Sequence, residues 1–574
     1  MKVSKSWLKE LVDLKISTDE LVNLLPLRAI GTKEITNDFI ELDMKGYNRA
    51  DLLSIRGVAR EVAAITNSKT TFTDLEQFDE SNHYSQLPVD VEDEKLCPIY
   101  CLVKIEGLKT GSSDPDWVKK LSDCGVRSIN NIADITNLIM LEFGQPMHSF
   151  DADKVKDEIL VVRLAKKGEK IITLDDKQRQ LDPSDLLIAD SEKPLGIAGV
   201  MGGKNSEASE STTTIFLEAA IFDPISIRRS VQRHNLYSEA SKRFQHGLTK
   251  TNLLQALAAA VKMYEELGGK LTAISMVGNL EDEVKTVKLT QKKVNDLIGV
   301  DIKPEEVERH LESLGFSLAS AATTGQAWST WEVTVPYFRL DINIEEDLIE
   351  EVARMYGYEK IPAKPLKGEL PEKIDQSLFE GIYNTKKALA DLGLTEIQTY
   401  SFYSTKVLNT LGFNEKNQDK IIKIANPISS ETEYLRTFIW PNLVEVIDKN
   451  MRQGYGDIAI FEIGKVYMPT KDGSPKESYH LSIALMNGTN NPLKELLHLI
   501  SQGGKLIHLR GGQIEKGEPI KELEAFFHPI RFATVKQKGK VLGSLAEVHP
   551  RFLNQIGIDK RVATLEIDLE NVIF

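Results

Sequence analysis

Apolar residues recur along this chain at two spacings, and the switches between them outline its elements. Near the start, Trp7, Leu8, Leu11, Val12 and Leu14 share one side of a short amphipathic helix. Ser17 and Glu20 have the spacing of a capping box and predict a second helix through Leu24 and Leu25, ended by Pro26. Phe39, Glu41, Leu42 and Asp43 predict a short strand, and residues 48–51 a turn able to cap the next helix. That helix spans about 53–65, with Ile55, Val58, Ala59, Val62 and Ala63 on its apolar side. Residues 68–95 are polar and irregular and read as a connector. A strand follows at Ile99–Ile105, then a helix over 115–123.

Residues 126–151, VRSINNIADITNLIMLEFGQPMHSFD, break the simple pattern. Asn130, Asn131, Asp134, Thr136, Asn137, Gln145 and His148 are threaded through an otherwise apolar run. Each polar group that is buried there must find a hydrogen-bond partner, so the stretch predicts a polar pocket inside a packed module. His148 reads either as a satisfied core histidine or as part of that pocket.

Strands and turns alternate over 159–190, a strand covers 214–218, and 223–267 is helical. Residues 285–356 form a separate unit of two helices, one carrying Leu289, Val294, Leu297 and Ile298 and the other opened by Pro304, then a strand at Trp331–Val335. Its last helix shows Ile344, Leu348, Ile349, Val352 and Met355 on the buried side. Prolines make 361–373 a linker, and alternating strands and helices fill 374–574 as an antiparallel sheet with flanking helices. The predicted class is α+β multidomain, divided as 1–67, the connector 68–95, 96–280, a winged-helix-like module 285–360, the linker 361–373, and 374–574.

Composition narrows the function classes. The chain has 574 residues, enough for several cores, with 41% hydrophobic and 27% charged residues. The opening residues lack the apolar core of a signal peptide, and no run is long enough to span a membrane. Three cysteines, Cys97, Cys101 and Cys124, without neighbouring histidines favour neither a disulfide framework nor a zinc site, and the expectation is a cytoplasmic protein. A net charge of −14 argues against a generic nucleic-acid coat. A local exception is 226–250, where Arg228, Arg229, Arg233, Lys242, Arg243 and Lys250 face only Glu239. It reads as a solvated helix face or as an RNA contact.

Two further motifs bear on chemistry. GVMGG at 199–203 lacks the lysine and order of a phosphate loop and reads as a tight turn where backbone comes close to a ligand or a strand. Asp341, Asp347, Glu350 and Glu351 sit at spacings that bring carboxylates together around one helix. That is either an acidic solvated face or an oxygen-ligand site suited to magnesium. Zincin, kinase, Rossmann and triad signatures are not found over 374–574.

The motifs VRSINNIADITNLIMLEFGQPMHSFD, GIAGVMGGKNSE, SEASKRFQHG, RLDINIEEDLIEEVARMYGY and ANPISSETEYLRTFIWPNLVE, in this order, resemble the β subunit of bacterial phenylalanine–tRNA ligase. The resemblance covers nearly the whole chain. It implies an editing domain of mixed strands and helices over 96–280, which hydrolyses mischarged tyrosyl-tRNA. It implies Thr136, Asn137, His148, Gly199, Glu218 and Ala240 as the editing pocket, with Asn130, Asn131 and Asp134 structural. It also implies that 374–574 is a class II synthetase-like domain without a working site, packed against an α subunit that binds ATP in an (αβ)₂ heterotetramer. Magnesium is implied at Asp341, Asp347, Glu350 and Glu351, shared with α, and the phenylalanine tRNA is the implied RNA partner. The sequence departs from the family pattern where LLPLRAIGTKEITNDF passes directly to IELDMKGYNR, without the usual OB-fold insert, and at its end, without the usual anticodon-binding domain. A shortened form is the expectation. A non-catalytic subunit for assembly and tRNA positioning, its editing decayed, is the alternative.

Overall fold

The computed structural model describes residues 1–72, 78, 84–280, 283–320, 329–365, 368, 374–411, 420–471, 473–487, 491–503, 512–516 and 526–572. It divides into two compact units, Met1–Pro365 and Leu366–Phe574.

The first unit opens with β1 (Lys2–Ser4), α1 (Lys5–Leu11), α2 (Thr18–Arg28), β2 (Thr32–Ile35), β3 (Phe39–Leu42) and α3 (Ile55–Thr66). The Ser17–Glu20 capping box forms as its spacing predicts. Pro26 does not end α2, which runs on to Arg28. In the last turn a proline removes one amide bond, and the helix still closes through Ala29 N–H to Leu25 O. Ser54, not the preceding turn, caps α3 by accepting from Gly57 N–H. Residues 36–38 join β2 directly to β3 in an antiparallel pair.

The middle of this unit is two sheets face to face. β4 (Val89–Val91) and β5 (Ile99–Glu106) are followed by α4 (Pro115–Asp123), α5 (Asn131–Phe143) and β6 (Met147–Asp151). β7 (Leu160–Leu164), β8 (Lys170–Ile172), β9 (Gln178–Gln180), β10 (Leu186–Ala189), β11 (Pro194–Ile197), β12 (Met201–Gly202) and β13 (Thr214–Ile221) come next. α6 (Pro224–His234), α7 (Glu239–Phe244), α8 (Lys250–Glu266) and β14 (Lys270–Gly278) complete the module. One sheet runs β12-β11-β10-β7-β4 and the other β14-β5-β13-β6. Alternation along β5 and β13 divides the second sheet's two faces. Ile99, Cys101, Val103, Ile215 and Leu217 pack under α5 and α8, while Tyr100, Leu102, Phe216 and Ala220 face the first sheet. Asn130 caps α5 by accepting from Ile132 and Ala133 N–H. Asn131 bonds the backbone of Lys109 and Gly111, and buried Asp134 accepts from Ser113, Ser128 and the Ile129 amide. Much of the polar threading in 126–151 therefore anchors α5.

The unit ends with β15 (Thr286–Thr290), α9 (Gln291–Ile298), α10 (Pro304–Ser313), β16 (Ser317–Ser320), β17 (Thr330–Thr334) and α11 (Glu345–Tyr356), the strands ordered β15-β17-β16. Leu289, expected on a helix, lies in β15, paired with Trp331. Ile344, expected on the buried side of α11, precedes that helix and is 55% exposed.

In the second unit α12 (Ser377–Asp391) is followed by β18 (Thr395–Glu396), β19 (Phe402–Tyr403), α13 (Thr405–Thr410), β20 (Tyr434–Leu435), α14 (Trp440–Arg452), β21 (Ile458–Pro469) and β22 (Pro475–Met486). Then come α15 (Pro492–Gly503), β23 (Gly512–Lys516), β24 (Phe527–Gln537), β25 (Lys540–Val548), α16 (Pro550–Ile556) and β26 (Ala563–Asp568). The sheet β18-β21-β22-β26-β25-β24-β23 is antiparallel apart from the parallel pair β18–β21, as the alternation over 374–574 predicts. Among the described residues no helix is long and apolar enough to cross a membrane.

Candidate functional site

A cavity of about 80 Å³ lies between the two sheets of the middle module, walled by β6, β13, the β11–β12 hairpin and α7. That is several times the ~10–15 Å³ a single water needs. His148, Gly199, Glu218 and Ala240 all line it. Antiparallel register sets Glu218 directly opposite His148, so the carboxylate and the imidazole rise from the same face of neighbouring strands.

Glu218 is buried, and Tyr100, fully buried on β5, donates its hydroxyl to Glu218 Oε2 at 3.0 Å. Burial pushes the Glu218 carboxyl up to about 7, and the bond from Tyr100 opposes that rise. His148 is partly exposed towards the cavity, but its Nε2 is buried without a hydrogen-bond partner. Its ring meets Phe150 edge to face, centroids 4.5 Å apart. Burial pushes its pKa down to about 4, so the imidazole is neutral at physiological pH. The pair therefore couples a hard-to-ionise carboxyl with an uncharged ring.

Glycines bring the backbone into this wall. Gly196 pairs with Gly202 across the β11–β12 hairpin. A Cβ at Gly202 would come within 2.6 Å of His148 Cε1, so only glycine lets the imidazole lie against the strand. Gly199 turns the hairpin at φ +65°, and a Cβ there would strike Ile227, Phe222 and Phe244 at 2.8–3.1 Å. Opposite, α7 presents Ala240 and Phe244 to the cavity. Arg243, on the same helix, is fully buried, bonding Leu53 O through Nε and Glu239 O through Nη1. It pins α7 to the chain just before α3.

Thr136 and Asn137 are not brought into this lining. They stand on α5, which packs on the other face of the sheet through Ile132, Ile135 and Ile139. Thr136 donates its hydroxyl to Ala133 O at 2.7 Å. Tyr100 is the residue that sequence reasoning missed. Its only signal was a tyrosine inside an apolar strand, where a buried hydroxyl needs a partner.

The carboxylates around α11 do not converge as their spacing predicts. Asp341 accepts two bonds from Arg339, at 2.9 and 2.7 Å. Asp347 turns back to accept the amides of Asn343 and Ile344 at the start of α11. Glu351 is buried between Arg339 and Arg354, and Glu350 is exposed. Burial alone would raise the Glu351 carboxyl, but Arg354 and Arg339 hold it well below the usual range. Arg354 also pairs with Glu61 on α3, and Arg49 bridges Glu61 to Asp51. The negative charge is thus neutralised by arginines, and the four acids do not fit a magnesium cage within this chain. Among the described residues no group of three or more histidine, cysteine or acidic side chains is placed to hold a metal ion.

The basic island at 226–250 also dissolves in part. Arg233 and His234 both bond the buried Asp185, and Arg243 is internal. Arg228 and Arg229 remain exposed on α6, beside exposed Ile225 and near Tyr237, which is 71% exposed.

Comparison with known proteins matches this architecture region by region. Residues 96–269 match the B3/4 domain, 287–358 the tRNA synthetase B5 domain, and 361–569 the phenylalanyl tRNA synthetase beta chain CLM domain. The phenylalanine–tRNA ligase beta subunit of Synechococcus sp. is 34% identical over 93% of this chain and 67% of its own length. That of Moorella thermoacetica is 36% identical over 91% of this chain and 65% of its own. The chain thus spans about two thirds of the length of these relatives. Among solved structures, an N-terminal fragment of the Pyrococcus horikoshii phenylalanyl-tRNA synthetase beta subunit covers 62% of this chain at 20% identity and a TM-score of 0.35.

Proposed function

Since the chain belongs to the phenylalanine–tRNA ligase beta subunit family, we propose that its cavity hydrolyses tyrosine mischarged onto the phenylalanine tRNA. In this reading an α subunit binds ATP and attaches phenylalanine, and this chain supports it in an (αβ)₂ assembly. The observation that carries the proposal is the juxtaposition of Glu218 and His148 on adjacent strands of one cavity wall.

The chemistry follows from what a phenylalanine pocket cannot do. A site shaped for an apolar ring rejects an added hydroxyl only weakly, about a hundredfold, whereas a site built to bond that hydroxyl discriminates by about 10⁴ or more. Glu218 offers such a bond: a substrate tyrosine can donate its hydroxyl to the carboxylate, and a phenylalanine ring would leave the oxygen not held by Tyr100 without a donor. Gly199 and Ala240 keep the wall thin enough for a ring. Neutral His148, partly exposed and directly opposite Glu218, can orient the attacking water by hydrogen bonding. The ester bond is then cut by a positioned water, and the proton passes to the departing ribose oxygen. Catalysis by placement is sufficient, without a strong base. Thr136 and Asn137, outside the cavity, take no part in this step. No step passes through magnesium, for which α11 offers no cage.

The test is deacylation of tyrosyl- and phenylalanyl-tRNA, both on the phenylalanine tRNA, by the chain purified with its α partner. Rapid loss of tyrosine alone, abolished or made indiscriminate by Glu218→Ala, is the expected result. Normal charging with no hydrolysis would instead mark a non-catalytic subunit that assembles the enzyme and positions tRNA.

A further inference from the structure

We propose that Tyr100 is the positioning residue of this cavity: it holds one oxygen of Glu218 so that the other remains the acceptor that reads a substrate hydroxyl. This rests on the functional reading above and adds to it the device that orients the acid.

Geometry carries the argument. β5 and β13 are neighbours, with Tyr100 opposite Ala220 and Leu102 opposite Glu218. Tyr100 thus lies diagonal to Glu218 on one sheet face, within reach for a long side chain. Its hydroxyl donates to Oε2 at 3.0 Å, and no donor reaches Oε1 among the described residues. A glutamate lining an 80 Å³ cavity has room to swing. A single charge-assisted bond from a rigid ring removes that freedom at little entropic cost. Tyr100 is itself fully buried and its phenol is kept protonated by burial, so it remains a donor.

The ionisable surroundings are few. Tyr100 stands on β5, with Cys97 just before that strand and Cys101 on its opposite face, and β6 contributes His148. The hairpin and α7 present Gly196, Ala198, Gly199, Ala240 and Phe244, none of them ionisable. Tyr100 is thus the group placed to favour the charged carboxylate.

Tyr100→Phe keeps the ring and removes the bond, so the fold is retained. Two readouts test it in the complex with α. The first is the ratio of tyrosyl- to phenylalanyl-tRNA hydrolysis, expected to fall by roughly tenfold or more, the size of a hydrogen bond to a charged group. The second needs no substrate. It is the midpoint of Glu218 titration in the folded chain, read as the pH at which the growing stability gap between the parent and its Glu218→Gln variant levels off, measured with Tyr100 present and in the Tyr100→Phe background. This midpoint should rise by about one pH unit without the hydroxyl. An unchanged ratio and an unmoved midpoint would overturn the proposal. If neither ester is hydrolysed by the parent, the functional reading fails, and the midpoint alone decides whether Tyr100 holds Glu218.

Discussion

Replacing Glu218 by glutamine removes a buried acid whose charge the fold resists. The carboxyl titrates at about 7 in the folded chain against an ordinary value of 4.5, because burial disfavours its charged form. Between those two values the folded protein keeps a proton that the unfolded chain has released. Its contribution to stability therefore falls as pH rises through this window, and the full penalty stands above pH 7. At about 1.4 kcal/mol per unit the penalty is ~3 kcal/mol, with no discount for solvent because the side chain is buried. Glutamine occupies the same space and keeps an oxygen for Tyr100, so it should escape the penalty. His148 works in the opposite direction: its folded pKa near 4 lies below the ordinary 6.5, so its contribution rises between those values. The two terms largely offset one another in the parent, and the informative quantity is the difference between parent and variant. Hydrogen exchange of the β5 and β13 amides, corrected for intrinsic rates from pH 4 to pH 8, reports that difference locally. The Glu218→Gln advantage should be near zero at the acidic end and approach ~3 kcal/mol above pH 7. A difference that stays flat with pH would refute the burial argument and the assignment of Glu218 as a reluctantly charged acid.

Two other perturbations test separate parts of the structure. Arg354→Met leaves Glu351 and Glu61 with one arginine fewer each in a buried network, and should cost about 3 kcal/mol, visible as a melting temperature lowered by roughly 5 °C or more. An unchanged melt would mean that the arginines do not neutralise these acids. Charge reversal of the exposed Arg228 and Arg229 should weaken tRNA binding and reduce the slope of log affinity against log salt by about 1–2. An unaltered slope would return α6 to the status of a solvated face.

The reach of the sequence depended on whether a feature was local. Capping at Ser17, the strands β5 and β13, and the glycine turn at 199–203 all follow from neighbours a few residues apart, and all were legible. The motifs also sufficed to indicate the family, as the comparisons show. The carboxylates of α11 illustrate the limit. Spacing placed Asp341, Asp347 and Glu351 near one helix, but only folding brought Arg339, Arg354 and the distant Arg49 and Glu61 against them. A run of arginines looked like one basic surface until Asp185 and Leu53 claimed Arg233 and Arg243. Most telling is the cavity. The sequence proposed His148 and Glu218 together only through resemblance, whereas β-sheet register made them opposite neighbours and set Tyr100 diagonally beside the acid. Periodicity fixes which face a side chain takes. Its partner, and hence its charge state, depends on which distant strand pairs alongside, and that is decided by the tertiary fold.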